Sequence, residues 1–249
     1  MSKILFIDTE TNGLPRDFKG PYTDTTNWPR LVQIAWVLAD EDGNTLSEKS
    51  YIIKPDGWVI GGEISNIHGI TTERAQNEGV PLQGVIDALE VDLIGVKYVV
   101  CHNVAFDRPV IACEYCRVAQ KIQSEAWVNS VIYPTAKHFC TMEMTTNILK
   151  IPGKIKDTFK WPKLDELYKY LFAKEVPGRD RYHDALVDVR ATAQCFFKIK
   201  QIKQGQAPKP AGYGYQDSIF QETEGGWLVE DGEKMYYNHL SVWEHFNKK

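Results

Sequence analysis

The chain reads as an α/β protein: a mixed five-stranded sheet with helices on both faces and a small C-terminal appendage. Three observations predict this. Apolar, β-rich runs over residues 4–8, 31–39 and 45–54 open the chain, and the last two flank Glu41-Asp42-Gly43-Asn44, a hairpin signal, so three antiparallel strands come first. Beyond them, strand-like and helix-like segments alternate. The 249 residues, 43% of them hydrophobic, suffice for one well-buried domain plus an appendage and are few for two full domains.

The elements follow in order. Residues 4–8 form a buried strand ending in acids. Thr71 or Thr72 caps a short helix, and 81–91 suits another. Residues 98–101 are a fourth strand and 105–119 a helix. A short fifth strand spans 139–142, with 143–150 helical after it. Helices over 164–172 and 184–199 complete a domain of residues 1–200. Residues 16–30, holding Phe18, Tyr22 and Trp28, form an ordered loop, either a plain surface insertion or a cover for the region after the first strand. A Pro/Gly linker occupies 201–215. In the tail, 216–249, two apolar stretches flank Glu230-Asp231-Gly232-Glu233, a second hairpin signal, and Leu240, Trp243 and Phe246 fit one helix face. The tail is too small for its own core, so it docks on the domain or on a partner.

Composition excludes several classes. No apolar stretch approaches the ~20 residues of a membrane span. Asp8 and Glu10 interrupt the first apolar run, so no signal-peptide pattern is present, and the expected location is cytoplasmic. Five cysteines in strand-like or helix-like segments argue for reduced, buried thiols. Cys113 and Cys116 form a C-x-x-C, but without a second pair or a histidine doublet they read as two small side chains on one helix face. The net charge of −4 and pI near 5.9 are unlike a duplex binder that works by phosphate neutralisation, though metal ions can supply local positive charge.

Chemistry concentrates in three short segments: F-I-D-T-E-T over 6–11, H-N-V-A-F-D over 102–107, and H-D-A-L-V-D over 183–188. Asp8 and Glu10, two apart at a strand end, project to one side. Asp107 and Asp188 come from other elements, and His183 precedes Asp188 by five residues. Acids that converge without matching bases repel each other unless cations lie between them. Hard divalent ions with oxygen ligands, Mg²⁺ or Mn²⁺, suit such a set.

These segments, in this order over roughly residues 3–200, resemble the three motifs of the DEDDh family of 3′–5′ exonucleases, which includes the proofreading subunit of bacterial DNA polymerase III and RNase T. The resemblance implies a ribonuclease H-like sheet, two divalent ions held by Asp8, Glu10, Asp107 and Asp188, and His183 as general base. Asp184 stands where a tyrosine would mark the sister branch. Thr11, Asn12, Gly13 and Leu14 match the stretch lying against the terminal nucleotide, with the leucine as a wedge. His68 falls in a segment bordering the substrate groove. His102 and Asn103 are further substrate candidates, His102 alternatively supporting Asp107. The implied activity is release of nucleoside 5′-monophosphates from single-stranded or frayed 3′ ends of DNA. RNA trimming is the alternative, and a binding module without activity a third reading that the intact acid set disfavours. Lys150, Lys154, Lys156, Lys160 and Lys163, with Phe159 and Trp161 interleaved, look like a single-strand track or else a solvated loop. Gln216-Asp-Ser-Ile-Phe220 resembles the peptide by which replication proteins bind a sliding clamp, with Asp217 where leucine is usual. Alternatively Ile219 and Phe220 anchor the tail on the domain.

Overall fold

The computed structural model describes residues 2–118, 137–179 and 183–206, together with the backbone of 226–230 and 233–237. Strands β1 (Lys3–Thr11), β2 (Leu31–Asp40) and β3 (Thr45–Ile52) come first, then helices α1 (Gly62–His68), α2 (Thr72–Glu78) and α3 (Leu82–Leu93). Next are β4 (Val96–Cys101), α4 (Val104–Val118), β5 (Lys137–Cys140), α5 (Thr141–Leu149), α6 (Leu164–Phe172) and α7 (Ala185–Lys203). The sheet order is β3-β2-β1-β4-β5; β1 pairs antiparallel with β2 and parallel with β4, so the sheet is mixed, as expected. The short helix α1 was not expected: its seven residues lack a strong apolar period, and Gly69 ends it at φ 72°. In the tail, β6 (Gly226–Glu230) and β7 (Glu233–Tyr237) pair antiparallel, the hairpin that Asp231-Gly232 signals. Most of the linker, the clamp-like peptide over 216–220 and the expected helix around 240–246 lie outside the described residues.

Strand alternation sorts the core. Ile4 and Phe6 of β1 face a cluster with Ile148 of α5, Leu167 of α6, and Val189 and Phe196 of α7. Leu5 and Ile7 face the other cluster, with Leu89 of α3 and Val110 and Ile111 of α4. Each such buried side chain contributes about 1.5–3 kcal/mol, enough in sum to offset the cost of gathering acids at the strand end. The same parity carries Asp8 and Glu10 to the α7 side and Thr9 to the α4 side.

The 16–30 loop is built into the domain. Trp28 is buried, and its Nε1 donates to the Gly20 carbonyl at 3.1 Å. On α4, the buried Glu114 accepts from Arg30 Nε and Leu31 N, both at 2.9 Å, and from Arg117 Nη1 at 2.7 Å. Arg117 also donates to the carbonyls of Thr25 and Trp28. Two guanidinium groups around one buried carboxylate thus pin the loop to α4. Cys113 and Cys116 are both buried in that same core, with no histidine or acid gathered on them as a metal site among the described residues.

Candidate active site

β1 carries its acids at the end where β4 and α4 also converge. Asn103 starts α4 in the left-handed region at φ 98°, which asparagine tolerates, and its carbonyl accepts from Phe106 N at 2.9 Å. This turn puts Asp107 in the first turn of α4, buried, where Thr9 Oγ1 donates to its Oδ1 at 2.8 Å. From the opposite face, Asp184 caps α7 by accepting from Leu186 N at 2.9 Å and Val187 N at 3.2 Å. Gln33 of β2 clasps this cap, donating to Asp184 Oδ2 and accepting from Ala185 N, both at 3.2 Å. With the helix start held this way, Asp188 projects into the space beside Glu10. The half-exposed His183 is placed by its N–H bond to the Ile67 carbonyl at 2.9 Å. Ligand atoms of Glu10, His183 and Asp188 lie within 4.8 Å of one another.

The electrostatics are those of a site short of positive charge. Burial, then the charges of Asp107, Asp188 and Glu10, hold the Asp8 carboxyl well above the usual carboxylate range. Burial, then Asp188, raises Glu10 to about 7. Burial also raises Asp107 to about 7, against hydrogen bonds from Thr9. Asp188 Oδ1 is buried with no hydrogen-bond partner. A buried carboxylate oxygen in that position, beside further hard oxygen donors, fits Mg²⁺ or Mn²⁺.

Arg179 is the cation the sequence reading missed. Its Nη2 pairs with Asp188 Oδ2 and lies 3.0 Å from His183 Nδ1, while Nη1 pairs with Asp165 of α6. His183 Nδ1 is 3.5 Å from Asp188 Oδ2. The two contacts of that nitrogen are alternatives: neutral, it accepts from Arg179, and protonated, it donates to Asp188, whose bond raises the imidazole pKa. Nothing in V-P-G-R-D-R-Y-H singles out Arg179 by pattern; the turn at Gly178 (φ 79°) and the position of α6 bring it to the site.

The other sequence candidates divide. Thr11 Oγ1 donates to the Gly13 carbonyl at 2.7 Å, and Asn12 Oδ1 accepts from Arg30 N at 2.8 Å, which closes the base of the 16–30 loop. No other group approaches the Cα substituent position of Gly13, and Leu14 is 71% exposed, so it is not an ordinary buried residue. His68 is buried; its Nδ1 accepts from Ile70 N at 3.1 Å, and burial lowers its pKa. Its segment meets the site through the backbone of Ile67. Burial lowers His102 to about 4, so the ring is neutral. Nε2 donates to the Pro162 carbonyl at 3.0 Å and Nδ1 faces Thr141 Oγ1 at 2.9 Å, which leaves neither nitrogen open to a phosphate. In the lysine track, Lys160, still partly exposed, pairs with Glu166 of α6 at 2.5 Å.

Two results are expected from one set of Mn²⁺ titrations by calorimetry. Cation binding must displace the protons that Glu10 and Asp107 hold up to about pH 7. Apparent affinity should therefore fall as pH drops below 7, approaching ~100-fold per unit where two protons are displaced. Arg179→Gln, which removes the internal cation competing for Asp188, should tighten binding about 10-fold, the worth of one charge-assisted hydrogen bond. A pH-independent affinity, or no gain in the variant, would contradict the charge balance described.

The chain resembles several solved exonuclease structures. E. coli Exonuclease I bound to a dT13 oligonucleotide superposes with TM-score 0.59 at 21% identity, over 83% of this chain and 42% of that one. The zinc-bound form of the E. coli enzyme in complex with single-stranded DNA gives 0.58 at 20% identity, over 89% and 42%. Exonuclease I of Methylocaldum szegediense gives 0.56 at 21% identity, over 83% and 42%. This chain thus spans less than half the length of those enzymes. No curated protein matches it. The RNase T-type family profile described as Exonuclease, however, matches residues 5–196, all but the first two residues of the five-stranded sheet and all three acidic segments, and the chain belongs to that exonuclease family.

Proposed function

We propose that this chain is a metal-dependent 3′–5′ exonuclease that releases nucleoside 5′-monophosphates from DNA ends, in proofreading or end trimming. The observation that carries this is the buried, unpartnered Oδ1 of Asp188, beside Glu10 and His183 and across from Asp8 and Asp107. Asp8, Glu10, Asp107 and Asp188 would hold the cations, Glu10 and Asp188 on one side, Asp107 on the other and Asp8 between them. When bound, the ions supply positive charge for the phosphoryl oxygens and the leaving 3′ oxygen. His183 would take the proton of the attacking water, a role suited to a half-exposed imidazole. With a cation on Asp188, Arg179 would keep Asp165 as partner. The exposed Leu14 would wedge against the terminal base.

DNA is favoured because E. coli Exonuclease I, which shares the fold, is solved with dT13 and dA16 oligonucleotides. RNA trimming is the alternative, decided by contacts to the sugar 2′ position. The test offers 5′-labelled single-stranded DNA, a duplex with a mismatched 3′ end, and RNA, each with Mg²⁺ or Mn²⁺. A ladder shortening from the 3′ end of DNA is expected. Release from the 5′ end, or cleavage of RNA alone, would overturn the reading.

A further inference from the structure

Between α5 and α6 the chain makes an excursion that none of the three acidic segments includes. Pro152 bridges Phe159 in antiparallel fashion, Gly153 N donates to the Thr158 carbonyl at 2.8 Å, and Lys160 N to the Ile151 carbonyl at 2.9 Å. The tip turns at Asp157, in the left-handed region at φ 62°. Along the returning arm exposure alternates: Phe159 out, Lys160 partly covered, Trp161 out, Pro162 buried, Lys163 out. A period of two sorts side chains to opposite sides. Lys160 turns toward α6, where Glu166 holds it at 2.5 Å. Phe159 and Trp161 share the outer side, 44% and 63% exposed, with Lys154, Lys156 and Lys163 exposed around them.

The outward rings are not core residues that failed to pack. Pro162, beside Trp161, is fastened by its carbonyl to His102 Nε2 at 3.0 Å, so the root of the arm is anchored on the segment that leads into Asp107. Two residues along an extended arm span ~6.7 Å, which is about twice the ~3.4 Å between stacked bases. One base therefore fits between the two ring positions. Base faces are available only in an unpaired strand, because in a duplex they are covered by their neighbours. The lysines around the rings, with Asp157 the sole acid of the excursion, supply the charge a phosphate backbone requires.

We propose that the 151–161 excursion, with Lys163 at its root, is a stacking platform for single-stranded nucleic acid, gripping the segment that adjoins the end held at the acid cluster. This rests on the exonuclease reading for the direction of the strand, and it assigns selectivity for unpaired ends to Phe159 and Trp161. Lys154 and Lys156 then add phosphate contacts that salt weakens.

The test uses the full chain in two assays. In chelator, where nothing is cleaved, a fluorescein-labelled dT12 and the same length of blunt duplex are titrated by anisotropy. With metal, dT12 and thymidine 5′-monophosphate p-nitrophenyl ester, too short to reach the excursion, are compared as substrates. Phe159→Ala with Trp161→Ala should weaken dT12 binding and raise its KM about 10-fold or more. It should leave the ester's kcat/KM unchanged. Lys154→Ala with Lys156→Ala should flatten the salt dependence of dT12 binding. Equal dT12 affinity in wild type and the aromatic double variant, or an equal loss on dT12 and the ester, would overturn the platform. Hydrolysis of neither substrate by the wild type would overturn the exonuclease reading instead, while the anisotropy arm would still decide the platform.

Discussion

Asp8→Ala should lower 3′-end hydrolysis at least ~10³-fold, because it removes the one carboxylate positioned between both halves of the acid set. Chelator should abolish wild-type activity, and Mg²⁺ or Mn²⁺ should restore it. The fold should survive the substitution. In the metal-free protein the Asp8 carboxyl is disfavoured as an anion by burial and by three neighbouring acids, so its loss relieves repulsion rather than creating it. The thermal midpoint in chelator should accordingly stay level or rise, while the extra stability conferred by Mn²⁺ disappears. Asp188 behaves differently. It pairs with the largely buried Arg179, and Asp188→Ala would leave that guanidinium only Asp165. Asp188→Asn, which keeps an oxygen toward Arg179, is the better probe there and should show a comparable loss of turnover. A variant lacking Asp8 that digests DNA at near wild-type rate would sink the assignment.

His183→Ala should reduce kcat by ~10²–10⁴, with Mn²⁺ affinity altered far less than by the Asp8 change. The active form of a general base is neutral, so activity rises with pH through its pKa. In the metal-free protein the bond to Asp188 raises that pKa above the ordinary imidazole value. A cation that takes up the Asp188 charge weakens that pull and shifts the limb downward. In the alanine variant the limb should flatten. Persistence of the limb with the same midpoint would assign the titration to another group, and a parallel collapse of metal affinity would make His183 a ligand.

Much of this was legible in the residues because it is local. Alternation along β1 sends Asp8 and Glu10 to one side whatever surrounds them, and Glu41-Asp42-Gly43-Asn44 forms its turn between β2 and β3. Helix α3, ahead of the middle segment, and the long final helix were also readable, though α7 runs on to Lys203, since Lys200 and Ile202 find burial that periodicity past Ile199 did not reveal. Within the lysine-rich stretch, spacing alone grouped Lys160 with its neighbours, but Glu166 one turn into α6 claims it.

By itself the sequence determined the mixed sheet, the three segments that bear the acids and the demand for cations, since each follows from residue chemistry and short-range periodicity. Only the tertiary structure decided which groups share the acids' space. Arg179 reaches Asp188 and Asp165 together, Thr9 reaches across to Asp107, and His102 is tied off by Thr141 and Pro162, all through contacts between elements far apart in the chain. Hydrogen bonds and ion pairs of that kind depend on where helices come to rest on the two faces of the sheet, and no local pattern encodes that distance.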